Sequence, residues 1–443
     1  WSRRALDNAK IRLSAGSMGN GNVSPYSYTS EMTVSTADDI VLGGSYPSYT
    51  SVGSTVPVSL TWEKSTTYDV GLDLDFFNNR LSVSGDYYRR YTTDMYTASV
   101  ALPAVYGTGS PKGNNAEMKT DGWELSLSWR DSFKLGGKPF DYSIKAMVWD
   151  SKSVITKYVN DTGSLGTVKG FIENGGSPSS YYVGMTVGEI WGYTVAGLFR
   201  DQADIDSSAI HDFVQASDKV TRPGQVKIAD LDGNGFIDPG NFAVDDHGDL
   251  RIIGNQSPRY RYGVNLSARW NGIGLSVFLQ GVGARDWYPG SDAGMFWGKY
   301  GRPFFALIPS IHNYTDDMYS AERNNWDTAY WPRMTTYQSN GTKNWTRLLE
   351  IPNTRYIQSA AYLRVKNIQL DYSFPKHICS AIRLQGLKIY VNAENLFTFT
   401  PLHKYAPNFD PEGLSYDSDF ASAADGYTYP ILKSVTVGVN ITF

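Results

Sequence analysis

The sequence predicts an all-β fold, an antiparallel transmembrane β-barrel wall of about ten strands joined by long loops, and three observations predict it. Apolar and polar residues alternate with period two in segment after segment, as lipid-facing and lumen-facing side chains must along a barrel strand. Strand and turn formers dominate, with aromatics at 14% and 43 glycines against 19% charged residues, which is rich in sheet and poor in helical surface. Short connections take turns with long ones, the loop asymmetry of an outer-membrane barrel. No run of about 18 apolar residues occurs, so membrane-spanning helices are excluded and strands must carry any crossing.

The first strand-like segment is Lys10 to Ala15. Tyr68, Val70, Leu72, Leu74 and Phe76 then alternate with Asp69, Gly71, Asp73 and Asp75; a turn at Asn78 and Asn79 leads to Leu81, Val83, Gly85 and Tyr87 against Ser82, Ser84 and Asp86, a tight hairpin. Trp123, Leu125, Leu127 and Trp129 face one way and Glu124, Ser126, Ser128 and Arg130 the other. Tyr142, Ile144, Ala146 and Val148 follow, then Tyr262 to Trp270, which turns at Asn271-Gly272 into Ile273, Leu275, Val277 and Leu279. Ile368 to Phe374 and Leu387 to Glu394 come next, and the chain closes on Val435, Val437, Val439, Ile441 and Phe443 alternating with Ser434, Thr436, Gly438, Asn440 and Thr442.

Between these, the short connections are Asn78 to Asn79, Asp131 to Pro139, Trp270 to Gly272 and Pro375 to Gln385. The long ones are Gly16 to Ser65, Tyr91 to Lys119, Ser151 to Tyr260, Gly283 to Ser359 and Thr398 to Pro430. Residues 1–443 are thus expected to form one barrel domain, with 151–260, 283–359 and 398–430 as long extracellular loops. Trp and Tyr near strand ends (Trp123, Trp129, Tyr142, Tyr262, Trp270, Tyr372) suit an interfacial girdle, and the opposite polar faces suit a wet or plugged lumen.

The net charge of −4 is spread with both signs along the chain, which gives no nucleic-acid footprint. The single cysteine, Cys379, excludes an internal disulfide framework and reads as a small apolar filler near a turn. Trp1 lies a few residues before the first strand-like segment, with no initiator Met, signal peptide or lipidation cysteine, so a chain that starts part-way through a larger protein is expected.

Specific strings add to the pattern. Leu60-Thr61-Trp62-Glu63-Lys64-Ser65-Thr66-Thr67-Tyr68-Asp69-Val70-Gly71-Leu72-Asp73 with Phe76-Phe77-Asn78-Asn79-Arg80-Leu81, Gly122-Trp123-Glu124-Leu125-Ser126-Leu127 and Ile190-Trp191-Gly192-Tyr193 occur in that order. Ile253-Gly254-Asn255-Gln256-Ser257-Pro258-Arg259-Tyr260, Tyr362-Leu363-Arg364-Val365-Lys366-Asn367-Ile368 and Tyr390-Val391-Asn392-Ala393-Glu394-Asn395-Leu396-Phe397 follow. From about Leu60 to Phe443 the chain resembles the SusC/RagA-like TonB-dependent outer-membrane transporters of Bacteroidetes. The resemblance implies about the last ten strands of a 22-stranded barrel, a plug and an energy-coupling segment upstream, and a SusD-like surface lipoprotein as partner.

Two groups of residues are candidate sites. Asp230, Asp232, Asn234, Phe236 and Asp238 occupy positions 1, 3, 5, 7 and 9 of an EF-hand-like loop, with Gly235 at the sharp turn, as a structural calcium ion (Ca²⁺) would want. Asn241 stands where the bidentate Glu belongs, and an Asp- and Gly-rich turn that needs no ion fits the same residues. Asp245, Asp246 and Asp249 are further oxygen donors within reach of such an ion, although Asp249 reads first as fixing the turn before Arg251. The aromatics Trp287, Tyr288, Trp297, Tyr300 and Trp326, with Tyr405 and Tyr416, are candidate ligand or partner contacts, because aromatic faces stack on sugars and grip apolar or peptide groups. Packing of each loop on itself is the competing reading.

Five scattered histidines, loop-borne carboxylates and the absence of phosphate-loop or nucleophile-elbow motifs leave no catalytic constellation. The expectation, which the resemblance carries, is TonB-dependent import of an oligosaccharide or oligopeptide across the outer membrane. A passive porin or structural outer-membrane barrel, and a secreted glycan-binding or glycan-cleaving β-protein, are the alternatives from other classes.

Overall fold

The computed structural model describes residues 5–21, 29, 32–53, 60–98, 105, 112–160, 163–166, 169, 181–211, 221–289, 293–297, 317–333, 351–414 and 431–443. Ten strands make one antiparallel sheet in chain order: β1 (Leu6–Asn20), β2 (Glu63–Phe76), β3 (Leu81–Ala98), β4 (Lys112–Leu135), β5 (Lys138–Lys157), β6 (Arg259–Trp270), β7 (Ile273–Ala284), β8 (Tyr362–Ser373), β9 (Gly386–Phe399) and β10 (Ser434–Thr442). Every neighbour in the sheet is a neighbour in sequence, the up-and-down topology of a membrane barrel. Among the described residues β1 and β10 each pair on one side only, so the sheet is an arc of wall and not a closed cylinder.

The period-two pattern decides which face each side chain takes. Ile11, Leu13, Val70, Leu72, Leu125, Leu127, Ile144, Leu275, Leu370, Val391, Val437 and Val439 all stay exposed, Leu13 at 78% and Val437 at 74%. A continuous apolar face of this extent is untenable in water and natural in hydrocarbon. Aromatics collect on it at the short-turn end: Phe77 meets Trp129 at 6.4 Å, Phe133 meets Phe140 at 5.0 Å and Tyr142 at 6.2 Å, and Tyr372 meets Phe374 at 5.0 Å. The Trp129 indole N–H donates to the Tyr142 hydroxyl and that of Trp270 to the Leu135 carbonyl, so each ring has its apolar body outward and its polar atom satisfied.

The turns at this end are tight. Gly136 (φ 58) and Gly137 (φ 79) join β4 to β5, and Asn271 (φ 49) with Gly272 (φ 88) joins β6 to β7. Positive φ at both central residues matches the right-handed twist of the flanking strands, which is why Gly-Gly and Asn-Gly stand there. The connection expected over Asp131 to Pro139 is therefore two residues long, because Asp131 to Leu135 continue the strand. Within Pro375 to Gln385 the chain forms a short helix, Lys376–Ala381, that buries Cys379.

At the other end the strands overrun the expected loop boundaries: β1 runs to Asn20, β3 to Ala98 and β5 to Lys157, and β4 begins at Lys112. The 24 residues of β4 reach roughly 80 Å at about 3.4 Å each. About 9–11 tilted residues cross a bilayer, so the upper part of the wall stands in water.

The described residues of the connections after β5, β7 and β9 fold into one cap. Its core takes Tyr182, Tyr193, Leu198, Val226, Ile228, Ile237 and Leu250 from the first, Trp287, Tyr288, Phe296, Trp297, Trp331 and Tyr356 from the second, and Leu402, Ala406, Phe409 and Leu414 from the third. Two small antiparallel pairs, Glu189–Tyr193 with Leu250–Asn255 and Val195–Leu198 with Val226–Ile228, stiffen it.

Candidate functional site

The inner, polar face of the wall is a hydrogen-bonded surface. Arg12 on β1 holds Asp73 on β2 (Nε–Oδ2 2.9 Å) and Asp86 on β3 (Nη2–Oδ2 2.9 Å), while Ser84 donates to Asp73 at 2.7 Å. Gly71 makes this span feasible: it lies between Arg12 and Asp86 in register, and a Cβ there would come within 2.3 Å of Asp86 Oδ1 and 2.8 Å of Arg12 Cζ. Farther round, Ser143 pairs with Ser267 and Asn367 with Asn392, each at 2.8 Å. Near the short turns a trough of about 770 Å³ is lined by Arg130, Asp141, Ser143, Ser267, Asp371 and Lys388. Such a face, mixed in charge and rich in hydroxyls and amides, wets a path or receives a polar protein surface.

Above it, the cap settles part of the reading of its aromatics. Trp287, Tyr288 and Trp297 are each 2% exposed, so they pack the cap instead of meeting a ligand or partner. Trp287 lies 5.0 Å from Phe409, Trp297 lies 5.5 Å from Tyr356, and the Tyr288 hydroxyl donates to the Ile351 carbonyl at 2.9 Å. A connection this long carries its own core, and large aromatics supply it. Tyr405 stacks on Tyr330 with centroids 3.8 Å apart and planes at 5°, which ties the third connection to the second. Trp326 is half-buried against the same core. Tyr300 and Tyr416 lie outside the described residues.

The Asp-rich turn has a defined shape. Asp230 accepts from the backbone of Gly233 (2.6 Å) and Gly235 (3.0 Å), and those N–H groups hold its carboxyl below the usual range. Asn234 spends its amide on Asp232 and Asp238, Asp238 caps Gly240, and the Phe236 side chain is exposed. Asp230 and Asp232 converge with Asp249, their oxygens within 4.8 Å of one another. Asp249 is fully buried and accepts from Leu231 (2.6 Å) and Asp238 (3.0 Å). Burial, with repulsion from Asp232 and Asp230, raises its carboxyl above the usual range. It thus fixes the turn, as its place before Arg251 suggests, and also supplies a third carboxylate from outside the twelve-residue spacing.

Two further groups were invisible to spacing. His211 is buried against Phe199 (5.2 Å), accepts from Ile228 N at Nε2 (3.0 Å) and donates from Nδ1 to the Ala209 carbonyl (2.7 Å); burial lowers it to about 4. Arg364, within a string already singled out, is 2% exposed and meets Asp410 and Glu412, about 46 residues away. Only the charge of Asp410 and Glu412 in an otherwise turn-like segment hinted at such a pairing.

The family described as TonB dependent receptor-like, beta-barrel, matches residues 5–212. The chain is 26% identical over 442 residues to TonB-dependent receptor P3 of Formosa agariphila, covering 98% of this chain and 39% of that protein. It is 24% identical over 446 residues to TonB-dependent receptor SusC of Bacteroides thetaiotaomicron, covering 99% of this chain and 38% of that protein. The solved structure of the RagAB peptide transporter superposes with a TM-score of 0.67 at 19% identity, over 99% of this chain and 41% of that one. The chain spans about two fifths of the length of the curated relatives it matches.

Proposed function

We propose, on the premise that this chain belongs with the SusC/RagA-like TonB-dependent receptor barrels, that it forms part of the wall and external cap of an outer-membrane importer for a bulky nutrient. The observation that carries the reading is the pairing of a lipid-facing apolar wall, polar on its inner face, with a folded cap at its long-connection end. Connections 151–260, 283–359 and 398–430 face the exterior in this reading, and a SusD-like lipoprotein closes over them to trap substrate. TonB, acting through a segment upstream of these residues, then supplies energy to admit it. Arg12, Asp73, Asp86 and the hydroxyl rows line the route or seat the plug that guards it.

Oligosaccharides and oligopeptides are the substrate classes, since a wall of Ser, Asn, Asp and Arg offers hydrogen bonds to both. With Trp287, Tyr288 and Trp297 taken up in the cap core, stacking on sugar rings falls to other side chains. The test is uptake of fluorescent oligosaccharides and oligopeptides by cells carrying the full-length protein, with TonB active or inactivated. Uptake that stops without TonB supports import; uptake that continues at full rate identifies a passive porin. The Asp-rich turn is the place for a structural Ca²⁺: Asp230, Asp232 and Asp249 would hold it, and its charge would relieve the repulsion among them.

A further inference from the structure

We propose that the cap is seated on the inner wall of the barrel by an ionic joint, with Arg364 as its positioning residue and the segment 401–414 as the strap it holds. The inference rests on the importer reading for its purpose, since a cap that captures substrate must be held in register with the route beneath it. The joint itself stands on geometry.

Strand β8 carries an extra residue against β7 at this level, and β9 carries one against β8. The register of β8 slips between Val365 and Asn367 against β9, and β7 slips between Phe278 and Leu279 against β8. Lys366 falls within both slips and has no cross-strand partner in either ladder. Arg364 stays on the polar face, opposite Gln280 and Thr398, while Phe397 and Phe399 remain exposed on the other. Arg364 and Lys366, two apart as residues on one face of a strand are, converge on one segment. Arg364 Nη2 meets Asp410 Oδ1 at 2.5 Å, Arg364 Nη1 meets Glu412 Oε2 at 2.9 Å, and Lys366 Nζ meets the same Oε2 at 2.8 Å. The Tyr362 hydroxyl donates to Glu412 Oε1 at 2.8 Å, and Arg364 Nε donates to Thr398 at 2.9 Å. Arg285 adds bonds to the carbonyls of Pro411 and Leu414.

The cations all come from the wall and the carboxylates all come from the strap. One residue away from Asp410, Phe409 packs on Trp287 inside the cap core. The strap is thus apolar where it joins the cap and anionic where it joins the wall. A buried ion pair adds little net adhesion, because desolvation offsets the attraction, yet its hydrogen bonds accept one geometry only. Such a joint fixes where the cap sits and leaves what holds the cap together to the aromatic core.

The test is hydrogen–deuterium exchange on the full-length protein in detergent micelles, comparing Glu412→Gln, which keeps shape, with Glu412→Asp, which keeps charge. Exchange in 408–414 should rise at least tenfold in Glu412→Gln and return most of the way in Glu412→Asp, while 287–297 and 351–358 stay within twofold of the parent. Equal protection in the two variants, or loosening of the core segments together with the strap, overturns the proposal. The readout needs neither substrate nor TonB, so it can fail or succeed independently of the uptake experiment. Should Glu412→Gln not fold, Lys366→Met leaves both Arg364 pairs in place and should raise strap exchange by a smaller factor with the core unchanged; no change, or a change in the core as well, counts against the joint.

Discussion

The wall and the cap of this chain obey opposite solvent rules. In the wall, Leu13, Leu125 and Val437 turn outward and stay bare, while Arg12, Asp73 and Asp86 turn inward and pair. In the cap, Trp287, Trp331 and Tyr356 turn inward and are sealed, as in a water-soluble domain. One polypeptide can do both because the solvent differs with height: hydrocarbon surrounds the strands near their short turns and water surrounds everything above. The same residue type therefore has a different value in each region, and substitutions can measure the difference.

The largest effect is expected in the cap core. Trp331 is fully buried between Phe296, Trp297 and Tyr356, so Trp331→Ala should cost about 3–5 kcal/mol of cap stability. Protection of 287–297 and 351–358 from hydrogen exchange should collapse while the wall strands keep theirs; a loss shared equally by the wall would erase the distinction between regions. Next comes a charge on the outer face of the wall. Leu125→Lys should cost about 2–4 kcal/mol in a bilayer, and Ser126→Lys, one residue on but facing inward, close to nothing. Reconstituted unfolding of the two variants side by side measures it.

A pH series sharpens the contrast further. His211 is neutral in the folded cap, and its value there is lowered to about 4 from 6.5. The unfolded chain binds the proton first, so the stability His211 contributes is complete above about 6.5 and falls as pH drops toward 4, by about 3 kcal/mol in total. Cap exchange should accelerate through that window in the parent and respond less in His211→Gln, with the outer-face strands unaffected. Asp249 runs the other way. Its raised value means the folded cap holds the proton longer, so stability is present at low pH and declines as pH rises through the folded value. The smallest predicted effect follows: Ca²⁺ at tenfold above its dissociation constant should add about 1.4 kcal/mol near neutral pH, and none in Asp249→Asn. A melting temperature that ignores Ca²⁺ in the parent removes the ion from the account.

Much of the wall was legible in the sequence, because alternation is a local property. Val435 to Phe443 announce their faces without knowledge of any neighbour, and Asn271-Gly272 announces its turn. Strand ends were less legible: beyond the bilayer the outward face has no need to be apolar, so Glu117 and Lys119 on β4 read as loop although they are strand. The cap was legible only as composition. Whether Trp297 packs or binds depends on Trp331 and Tyr356, which reach it through the fold and not through spacing. Asp249 was legible as a nearby carboxylate, but the Arg364–Glu412 pair was out of reach for the same reason, since it joins a strand to a separate connection.

The most direct test of the two-solvent account is a nitroxide scan of positions 123 to 130 on β4, one cysteine at a time, in the full-length protein reconstituted in lipid. The account predicts that 123, 125, 127 and 129 collide with oxygen dissolved in the bilayer, while 124, 126, 128 and 130 collide with a water-soluble nickel chelate. Accessibility that varies smoothly along the strand, or an alternation of the opposite phase, would contradict it.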